Sequence, residues 1–326
     1  MKFATLNDGS LDGQLLVVSR YLSRAVDASW IAPNLITAIQ HWETLQISLA
    51  ALSDALNSGT APLSFDLNTR LLTAPLPRAP QWLDASAFLN HGKLMEKAFK
   101  TLPIPMFDTV PVIYQGASDD LLGPNADVPL PSEAFGIDFE GEFGVIVGPV
   151  AMSATPAQAL AAVRLIVQIN DWSLRTLGPH EMKTGFGFLQ AKPSTSFAPV
   201  AVTPDELGDA WHEGRVHLAL HVHLNGARFG EPNGREMNFS FGELVAHAAR
   251  TRRLSAGCIV GSGTVSNADR AAGSACLAER RVIEMIDEGA AHTPFMLFGD
   301  TVRMQALLPD GRAGPFGVID QRVVAA

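Results

Sequence analysis

From about residue 81 onward, the chain consists mainly of short runs of β-favouring residues separated by Gly, Pro, Asn and Asp. Such runs lie at 110–114, 143–147, 216–224, 258–260 and 301–308. Only a few helical patterns interrupt them, among them one at 156–169, where a Thr155 N-cap precedes Pro156, and one at 241–249. A doubly wound parallel sheet needs strands that alternate regularly with helices, and this pattern does not provide them. We therefore expect a large mixed β-fold of about 250 residues, a sandwich or a barrel.

The first 75 residues carry a different pattern. Two apolar runs, at 1–6 and 15–19, flank a turn rich in Gly and Asp and predict a β-hairpin. Between 36 and 56, apolar residues recur every three or four positions, which predicts a helix. Because three prolines lie between 74 and 80, we place a boundary there, with a small α+β domain at 1–75 and a larger domain at 76–326.

Charge and cysteine content exclude several classes of protein. The chain has 24 basic and 33 acidic residues, a net charge of −9, so we expect neither a nucleic-acid partner nor a membrane partner. Cys258 and Cys276 form no CxxC motif, which predicts two buried thiols in a reducing compartment. The sequence has no signal-peptide pattern and no apolar run of about 18 residues, so we expect a cytoplasmic protein.

The acidic stretch that begins at residue 138 is the most informative part of the sequence. Asp138, Glu140 and Glu142 alternate before an apolar run, so on a strand they share one face. Three adjacent carboxylates repel one another, unless the face is solvated or basic residues lie beside it. The functional alternative is a site for a hard cation such as Mg²⁺, Mn²⁺ or Ca²⁺, which needs a further carboxylate.

A second acidic motif, Asn-Asp-Trp-Ser-Leu-Arg, occupies residues 170–175. Its Asp171 can supply the further carboxylate. Asp171 and Arg175 are four positions apart, which also fits an ordinary helical ion pair. Taken alone, this motif therefore leaves both interpretations open.

Four motifs in a fixed order resemble one known family. Asp-x-Glu-x-Glu precedes an apolar strand, and Asn-Asp-Trp-Ser-x-Arg follows about thirty residues later. An isolated Lys192 precedes a Ser/Thr-rich stretch at 194–196, and Gly-Ser-Gly-Thr-Val-Ser occupies 261–266. Together these motifs resemble the fumarylacetoacetate hydrolase family over about residues 80–320.

The segment upstream of these motifs resembles the fumarylacetoacetase branch of the same family. Asp84 and His91 are seven positions apart, as in that branch, and Tyr114-Gln115-Gly116 resembles its Tyr-His-Gly segment. The resemblance implies an α+β protein, in which a mixed β-roll catalytic domain of the fumarylacetoacetase C-terminal type follows a small N-terminal domain. It also implies a homodimer with one divalent cation per active site, Mg²⁺ in the first place and Mn²⁺ or Ca²⁺ as alternatives.

The resemblance assigns a role to each matched position. The implied metal ligands are Asp84, Glu140, Glu142 and Asp171. The implied catalytic groups are His91, which activates water, Glu279, which orients it, and the positive donors Lys192 and Arg175. The implied substrate contacts are Tyr114, Thr264, Ser86, Thr195 and Ser196, of which Thr195 and Ser196 are alternatives for one hydroxyl. Asp138 matches an Asp that supports the ligand pair.

The reaction that this resemblance implies is hydrolysis of a C–C bond in a small-molecule 1,3-diketo acid, and the expected substrate is fumarylacetoacetate. Two positions depart from the family, since Ser86 replaces a Tyr and Gly178 replaces a Gln, and both affect which diketo acid fits. One alternative is an acylpyruvate hydrolase, or a decarboxylase or hydratase of 2-keto acids, and the latter two need no His91–Glu279 pair. Another is a non-catalytic metal- or acid-binding protein, which needs no base beside a metal.

Overall fold

The structure is a computed structural model that describes residues 1–100 and 102–326. Its strands are β1 (Lys2–Leu6), β2 (Gln14–Val18), β3 (Arg24–Asp27), β4 (Phe65–Asp66), β5 (Trp82–Ala85), β6 (Ile113–Gly116), β7 (Val128–Leu130), β8 (Ile137–Asp138), β9 (Gly141–Val147), β10 (Val163–Asn170), β11 (Ser173–Leu174), β12 (Ser196–Phe197), β13 (Ala201–Val202), β14 (Trp211–His212), β15 (Arg215–Val216), β16 (Ala219–Leu224), β17 (Ala227–Gly230), β18 (Ile259–Gly261), β19 (Thr301–Leu307) and β20 (Ile319–Ala325). Its α-helices are α1 (Leu35–Gln40), α2 (Trp42–Asn57), α3 (Leu89–Phe99), α4 (Pro156–Ala161), α5 (Gly178–Thr184), α6 (Phe241–Ala248) and α7 (Leu277–Glu288). Short 3₁₀ helices lie at Thr69–Leu71, Glu133–Phe135, Pro204–Ala210, Gly234–Glu236 and Arg270–Ala272.

Two sheets form the framework. Eleven strands make a mixed sheet in the order β4-β3-β2-β1-β13-β10-β9-β18-β5-β6, with β12 paired to β10. Five more make a second sheet in the order β17-β16-β19-β20-β7. Helices accompany both parts of the chain, so the expected α+β class, with a β-roll domain and a smaller N-terminal part, is confirmed.

The pairing of β9, β18 and β5, towards one edge of the large sheet, positions the site. Strand β18 runs antiparallel to β9 and parallel to β5, and in that register Gly261 lies opposite Asp84. A Cβ atom at Gly261 would lie 2.5 Å from an Asp84 carboxylate oxygen and 2.3 Å from the Trp82 ring. Gly263 has a φ of +75°, which side chains rarely adopt, and a Cβ there would lie 2.2 Å from the Ala85 carbonyl oxygen. Both glycines therefore let the 261–266 loop approach the end of β5 closely.

Two apolar clusters pack against the large sheet. One lies between the two sheets and includes Phe143 and Val145 of β9 with Leu220 and Val222 of β16. The other joins helices α1 and α2 to the opposite face of the sheet, and it includes Phe3, Trp42, Trp82, Ile146, Leu165, Ile169 and Ile259. The first 75 residues thus share a core with the rest of the chain, to which β1 is hydrogen-bonded through β13. The domain boundary at 74–80 stays a prediction.

Several predicted elements have different bounds in the structure. The Thr155 cap is confirmed, with a full capping box to Gln158, but α4 ends at Ala161 and β10 begins at Val163. The helix expected at 156–169 is wrong in its second half because Val163–Asn170 is rich in β-branched residues and pairs along its length with β9.

Two smaller differences concern breaks within a run. The predicted helix at 36–56 is two helices that meet at His41, and the strand expected at 216–224 is divided between β15 and β16. The run at 110–114 becomes a strand only from Ile113 onward.

Cys258 and Cys276 are buried and unpaired, as expected. In the ranges that the structure describes, no helix has both the length and the apolar character that crossing a membrane requires.

Candidate active site

Three carboxylates from three separate strand ends come together in the part of the large sheet formed by β10, β9, β18 and β5. Asp84 lies on β5, Glu142 lies near the start of β9, and Asp171 directly follows β10. Each offers one oxygen, and these oxygens lie within 4.8 Å of one another. All three side chains are buried. We call Asp84, Glu142 and Asp171 the carboxylate triad.

The negative charge of the triad is only partly balanced, since Lys192 contacts one of its three carboxylates, Asp171. Both carboxylate oxygens of Glu142 are buried and have no hydrogen-bond partner among the described residues. Burial and the charge of Asp171 raise the pKa of Asp84 to about 8, and burial and the charge of Asp84 raise the pKa of Glu142 well above its usual range. A buried carboxylate without a partner is costly. A single cation with ligands at about 2.0–2.6 Å can bridge this spacing, so the residues present fit a divalent cation with oxygen ligands.

Asp171 is held by three donors, although it belongs to the triad. Tyr114 donates to Asp171 Oδ2 at 2.6 Å, Lys192 donates to the same oxygen at 2.6 Å, and Thr195 donates to Oδ1 at 2.7 Å. Burial and the neighbouring charge of Asp171 raise the pKa of Tyr114 well above its ordinary value, so the phenol stays a donor. These bonds fix the orientation of the carboxylate.

Glu140, the fourth expected ligand, lies beside the triad, and its role as a ligand stays a prediction. Its Oε1 accepts from Lys192 at 2.7 Å and from Ser173 at 2.6 Å, and its Oε2 accepts from Thr264. Burial acts to raise the pKa of Glu140, but the charges of Arg175, Lys192 and His91 hold it well below its usual range. Glu140 is therefore an ionised acceptor for the cations and hydroxyls beside the triad.

The side chains of this acidic stretch alternate as the sequence predicts. Phe139 and Phe143 are buried in the apolar cluster between the two sheets, whereas Asp138, Glu140 and Glu142 all reach the site. The regular pairing is interrupted between β8, which ends at Asp138, and β9, which begins at Gly141, and there the Glu140 backbone N–H donates to Asn170 Oδ1 at 3.0 Å.

Arg175 does not form the helical ion pair with Asp171 that their spacing also allowed. Its Nε donates to Asp138 Oδ2 at 2.7 Å, and its Nη2 lies 3.0 Å from Glu140 Oε1. Two largely buried cations, Lys192 and Arg175, thus share the site with five buried carboxylates. These carboxylates are Asp84, Asp138, Glu140, Glu142 and Asp171. The excess negative charge further supports a bound cation.

A histidine–carboxylate pair lies next to this network. His91, on α3, and Glu279, on α7, are 188 positions apart in the sequence, and His91 Nδ1 lies 2.8 Å from Glu279 Oε2. Glu279 is 1% exposed, so its carboxylate is held in place, whereas the imidazole keeps some access to solvent. A carboxylate on Nδ1 sets the tautomer of the ring and leaves Nε2 able to accept a proton.

The remaining expected contacts fall into two groups. Thr264 and Thr195 lie at the site, because the Thr264 hydroxyl donates to Glu140 and the Thr195 hydroxyl donates to Asp171. Ser196 does not, because it is fully buried and its Oγ accepts from Trp172 Nε1 at 2.9 Å, so its expected substrate contact is not supported. Ser86 is partly buried, and its Cα would lie 3.1 Å from a Cβ placed on Gly263, at the edge of the site.

One site residue was missed by the sequence reasoning. Ser173 donates to Glu140 Oε1 at 2.6 Å and is buried. It lies two positions after Asp171 in the Asn-Asp-Trp-Ser motif, and the motif itself was the available signal.

A mixed sheet that gathers three buried carboxylates around a space for one cation, beside a histidine–glutamate pair, defines a metal-binding α+β enzyme. The family model described as "Fumarylacetoacetate (FAA) hydrolase C-terminal" matches residues 81–324, and "Fumarylacetoacetase N-terminal domain 2" matches residues 1–78. The chain belongs to the fumarylacetoacetate hydrolase family, which confirms the resemblance seen in its motifs.

Curated relatives match about half of the chain. The 2,4-didehydro-3-deoxy-L-rhamnonate hydrolase of Sphingomonas sp. (strain SKA58) is 32% identical over 166 residues, which cover 50% of this chain and 54% of the relative. The chain thus spans about half the length of the curated relatives it matches.

Two solved structures share the fold over their whole length. The fumarylacetoacetate hydrolase of Exiguobacterium antarcticum has a TM-score of 0.66 at 18% identity, and the match covers 100% of both chains. The maleylpyruvate hydrolase of Sphingobium sp. SYK-6, in complex with manganese(II) and pyruvate, has a TM-score of 0.65 at 18% identity, again over 100% of both chains.

Proposed function

We propose that this protein is a divalent-cation-dependent hydrolase that cleaves a C–C bond in a 1,3-diketo acid. Fumarylacetoacetate, which would yield fumarate and acetoacetate, is the first substrate to test. The observation that carries the proposal is the His91–Glu279 pair, with Nδ1 and Oε2 2.8 Å apart, beside a triad suited to a cation. A decarboxylase or hydratase of 2-keto acids needs the carboxylates but does not need this pair.

The chemistry of the reaction explains why both parts are needed. Hydrolysis adds water to one carbonyl carbon, breaks the adjacent C–C bond and leaves the electron pair on the departing carbon, which must then gain a proton. A divalent cation bound at Asp84, Glu142 and Asp171 would stabilise the negative charge that develops on the diketone oxygens.

The side chains of this protein would perform the proton transfers. His91, oriented by Glu279, would take a proton from water through Nε2 and return a proton to the departing carbon. Lys192 would keep Glu140 and Asp171 in place, and its positive charge would favour an anionic substrate beside them. Tyr114, with its hydroxyl on Asp171, would form one wall of the substrate pocket together with Phe188, whose ring centroid lies 5.1 Å from that of Tyr114.

A second candidate substrate class is the acylpyruvates, such as maleylpyruvate and fumarylpyruvate. The similarity to the manganese and pyruvate complex of a maleylpyruvate hydrolase favours it, because that protein has the same fold. Both classes share the 1,3-diketo acid, so the mechanism at His91 is the same for both.

The deciding experiment compares fumarylacetoacetate, fumarylpyruvate and oxaloacetate as substrates of the full chain, with Mg²⁺ and with Mn²⁺. We expect cleavage of a diketo acid that requires the cation and depends on His91. Decarboxylation of oxaloacetate that persists in His91→Ala, with no cleavage of either diketo acid, would replace this proposal with the decarboxylase.

A further inference from the structure

Asp138 is a buried carboxylate that lies outside the carboxylate triad and yet contacts two parts of the site. It ends strand β8 and is 0% exposed. Its Oδ1 accepts from the Leu277 backbone N–H at 2.7 Å. Its Oδ2 accepts from the Ala278 backbone N–H at 2.9 Å and from Arg175 Nε at 2.7 Å. All three donors are therefore on segments remote in sequence from Asp138.

On one side, these bonds hold the start of helix α7. Leu277 and Ala278 are its first two residues, and Glu279, the partner of His91, is the third. A carboxylate at a helix N-terminus satisfies free backbone N–H groups and interacts favourably with the helix dipole. Because the two bonds precede Glu279 directly, they fix the backbone from which its side chain extends.

On the other side, Asp138 holds the guanidinium of Arg175. The Nη2 atom of the same guanidinium lies 3.0 Å from Glu140 Oε1, and Glu140 in turn accepts from Lys192. In addition, Asp138 pairs with Ser173 in the β8–β11 ribbon, which fixes the backbone just before Arg175. One carboxylate thus joins the start of α7 to the cations beside the triad.

We propose that Asp138 is a positioning residue that sets the placement of the His91–Glu279 pair relative to Arg175 and Glu140. The effect that this placement has on turnover rests on the proposed function, whereas its effect on the hydrogen bond of the pair does not. Asn at this position would keep the shape but would turn one acceptor oxygen into a donor. That NH₂ group would face the Arg175 guanidinium or a backbone N–H of α7, so one of the two connections would be lost.

The first measurement is free of turnover. In the full chain labelled with ¹⁵N-histidine, the ring signals of His91 are assigned by comparison with His91→Gln, and they report its hydrogen bond to Glu279. We expect Asp138→Asn to shift these signals towards those of Glu279→Gln. If the His91 signals of Asp138→Asn equal those of the wild type, the positioning role is overturned, whatever the substrate proves to be.

The second measurement is a double-mutant cycle on the diketo acid that the wild type cleaves. Asp138→Asn should lower kcat by about 10–100-fold, the usual effect of removing an outer support of an active site, with KM changed by less than about 3-fold. In a Glu279→Gln background the same substitution should lower kcat by less than about 3-fold further, because the pair it positions is already broken. An equal loss in both backgrounds would overturn the proposal.

A matched control separates positioning from loss of a helix cap. Ser240 caps helix α6, which packs against α4, and forms a full capping box with Glu243. Ser240→Ala should lower the Tm and leave the His91 signals and kcat at wild-type values. Should Ser240→Ala shift the His91 signals as much as Asp138→Asn does, general destabilisation would explain both and the proposal would fall. A wild type that cleaves no diketo acid would refute the proposed function only, since the His91 signals would still test Asp138.

Discussion

Thr195 and Ser196 are adjacent in sequence, but their hydroxyls bond to opposite sides of the chain. Thr195 donates to Asp171 Oδ1 at 2.7 Å, at the triad, whereas Ser196 accepts from Trp172 Nε1 at 2.9 Å, in the core. Successive side chains of an extended segment point to opposite faces, so only one of the two can reach the site. The sequence alone left both as candidates, and the structure assigns the site to Thr195.

This relationship gives a matched pair of variants. Thr195→Val keeps the shape but removes the donor to Asp171, so we expect Mn²⁺ affinity or kcat to fall by about 10–100-fold with little change in stability. Ser196→Ala leaves the Trp172 indole N–H unpaired and should lower the free energy of unfolding by about 1–3 kcal/mol, with Mn²⁺ affinity unchanged. Calorimetric titration and urea unfolding measure the two quantities. The opposite pattern would mean that Ser196 serves the site.

The His91–Glu279 pair predicts a specific kinetic signature. His91→Ala should lower kcat by about 10²–10⁴-fold, the range for removal of a positioned base, and should leave Mn²⁺ affinity nearly unchanged. Glu279→Gln should act in the same direction but less strongly, and the double variant should be far from additive. His292→Ala, at an exposed histidine, is the control. Near-normal cleavage by His91→Ala, with Asp171→Asn inactive, would assign the chemistry to the cation alone.

Removal of the cation should affect both activity and stability. EDTA should abolish turnover, and Mg²⁺ or Mn²⁺ should restore it and raise the Tm, because a ligand that binds only the folded state stabilises it. Glu142→Gln and Asp171→Asn should lose this rise in Tm. Glu231→Gln, at a carboxylate that lies partly exposed beside Arg228, should retain it. A full rise in Tm with Glu142→Gln would show that the cation binds elsewhere.

An ion pair between the two parts of the chain gives a pH-dependent prediction. Lys2 Nζ, on β1, lies 3.0 Å from Glu206 Oε2, and Lys2 is 3% exposed. Burial acts to raise the pKa of Glu206, but Lys2 and the N-terminal ammonium of Met1, which lies 2.9 Å from Glu206 Oε1, together outweigh it and hold this pKa below the usual 4.5. Because the folded-state pKa is lowered, the contribution to stability is complete above pH 4.5 and is lost as the pH falls through the lowered value.

The test is urea unfolding of Glu206→Gln against the wild type across this pH range. At neutral pH the variant should be less stable by about 1–3 kcal/mol, since a buried donor loses its charged partner. The difference should shrink as the pH falls below 4.5. Asp205→Asn, at the exposed neighbouring carboxyl, should change stability very little. A difference that stays constant down to low pH would contradict the ionic character of the pair.

The sequence predicted the chemical groups of the site better than their connections. The ordered motifs pointed to Glu142, Asp171 and Lys192, the upstream segment pointed to Asp84 and His91, and the family resemblance added Glu279. Such motifs are local, and the type of residue at each position limits what chemistry it can do. Contacts such as Arg175 with Asp138, by contrast, depend on how distant strands align, and no spacing in the sequence encodes that alignment.

The wrong half of the helix predicted at 156–169 has a physical cause. The residues of 163–169 have apolar side chains at positions that suit a helix as well as a buried strand, and pairing with β9 decides between them. Here a tertiary contact overrides a local pattern.

The apolar cluster beneath helices α1 and α2 has a consequence for how this chain can be divided. Phe3, Trp42 and Leu49 of the N-terminal part cover Ile146 and Ile259 of the large sheet. A fragment that starts at residue 81 would keep every carboxylate of the triad but would present this apolar face, and the unpaired edge of β13, to water. We expect such a fragment to aggregate, so truncation is a poor route to a minimal catalyst.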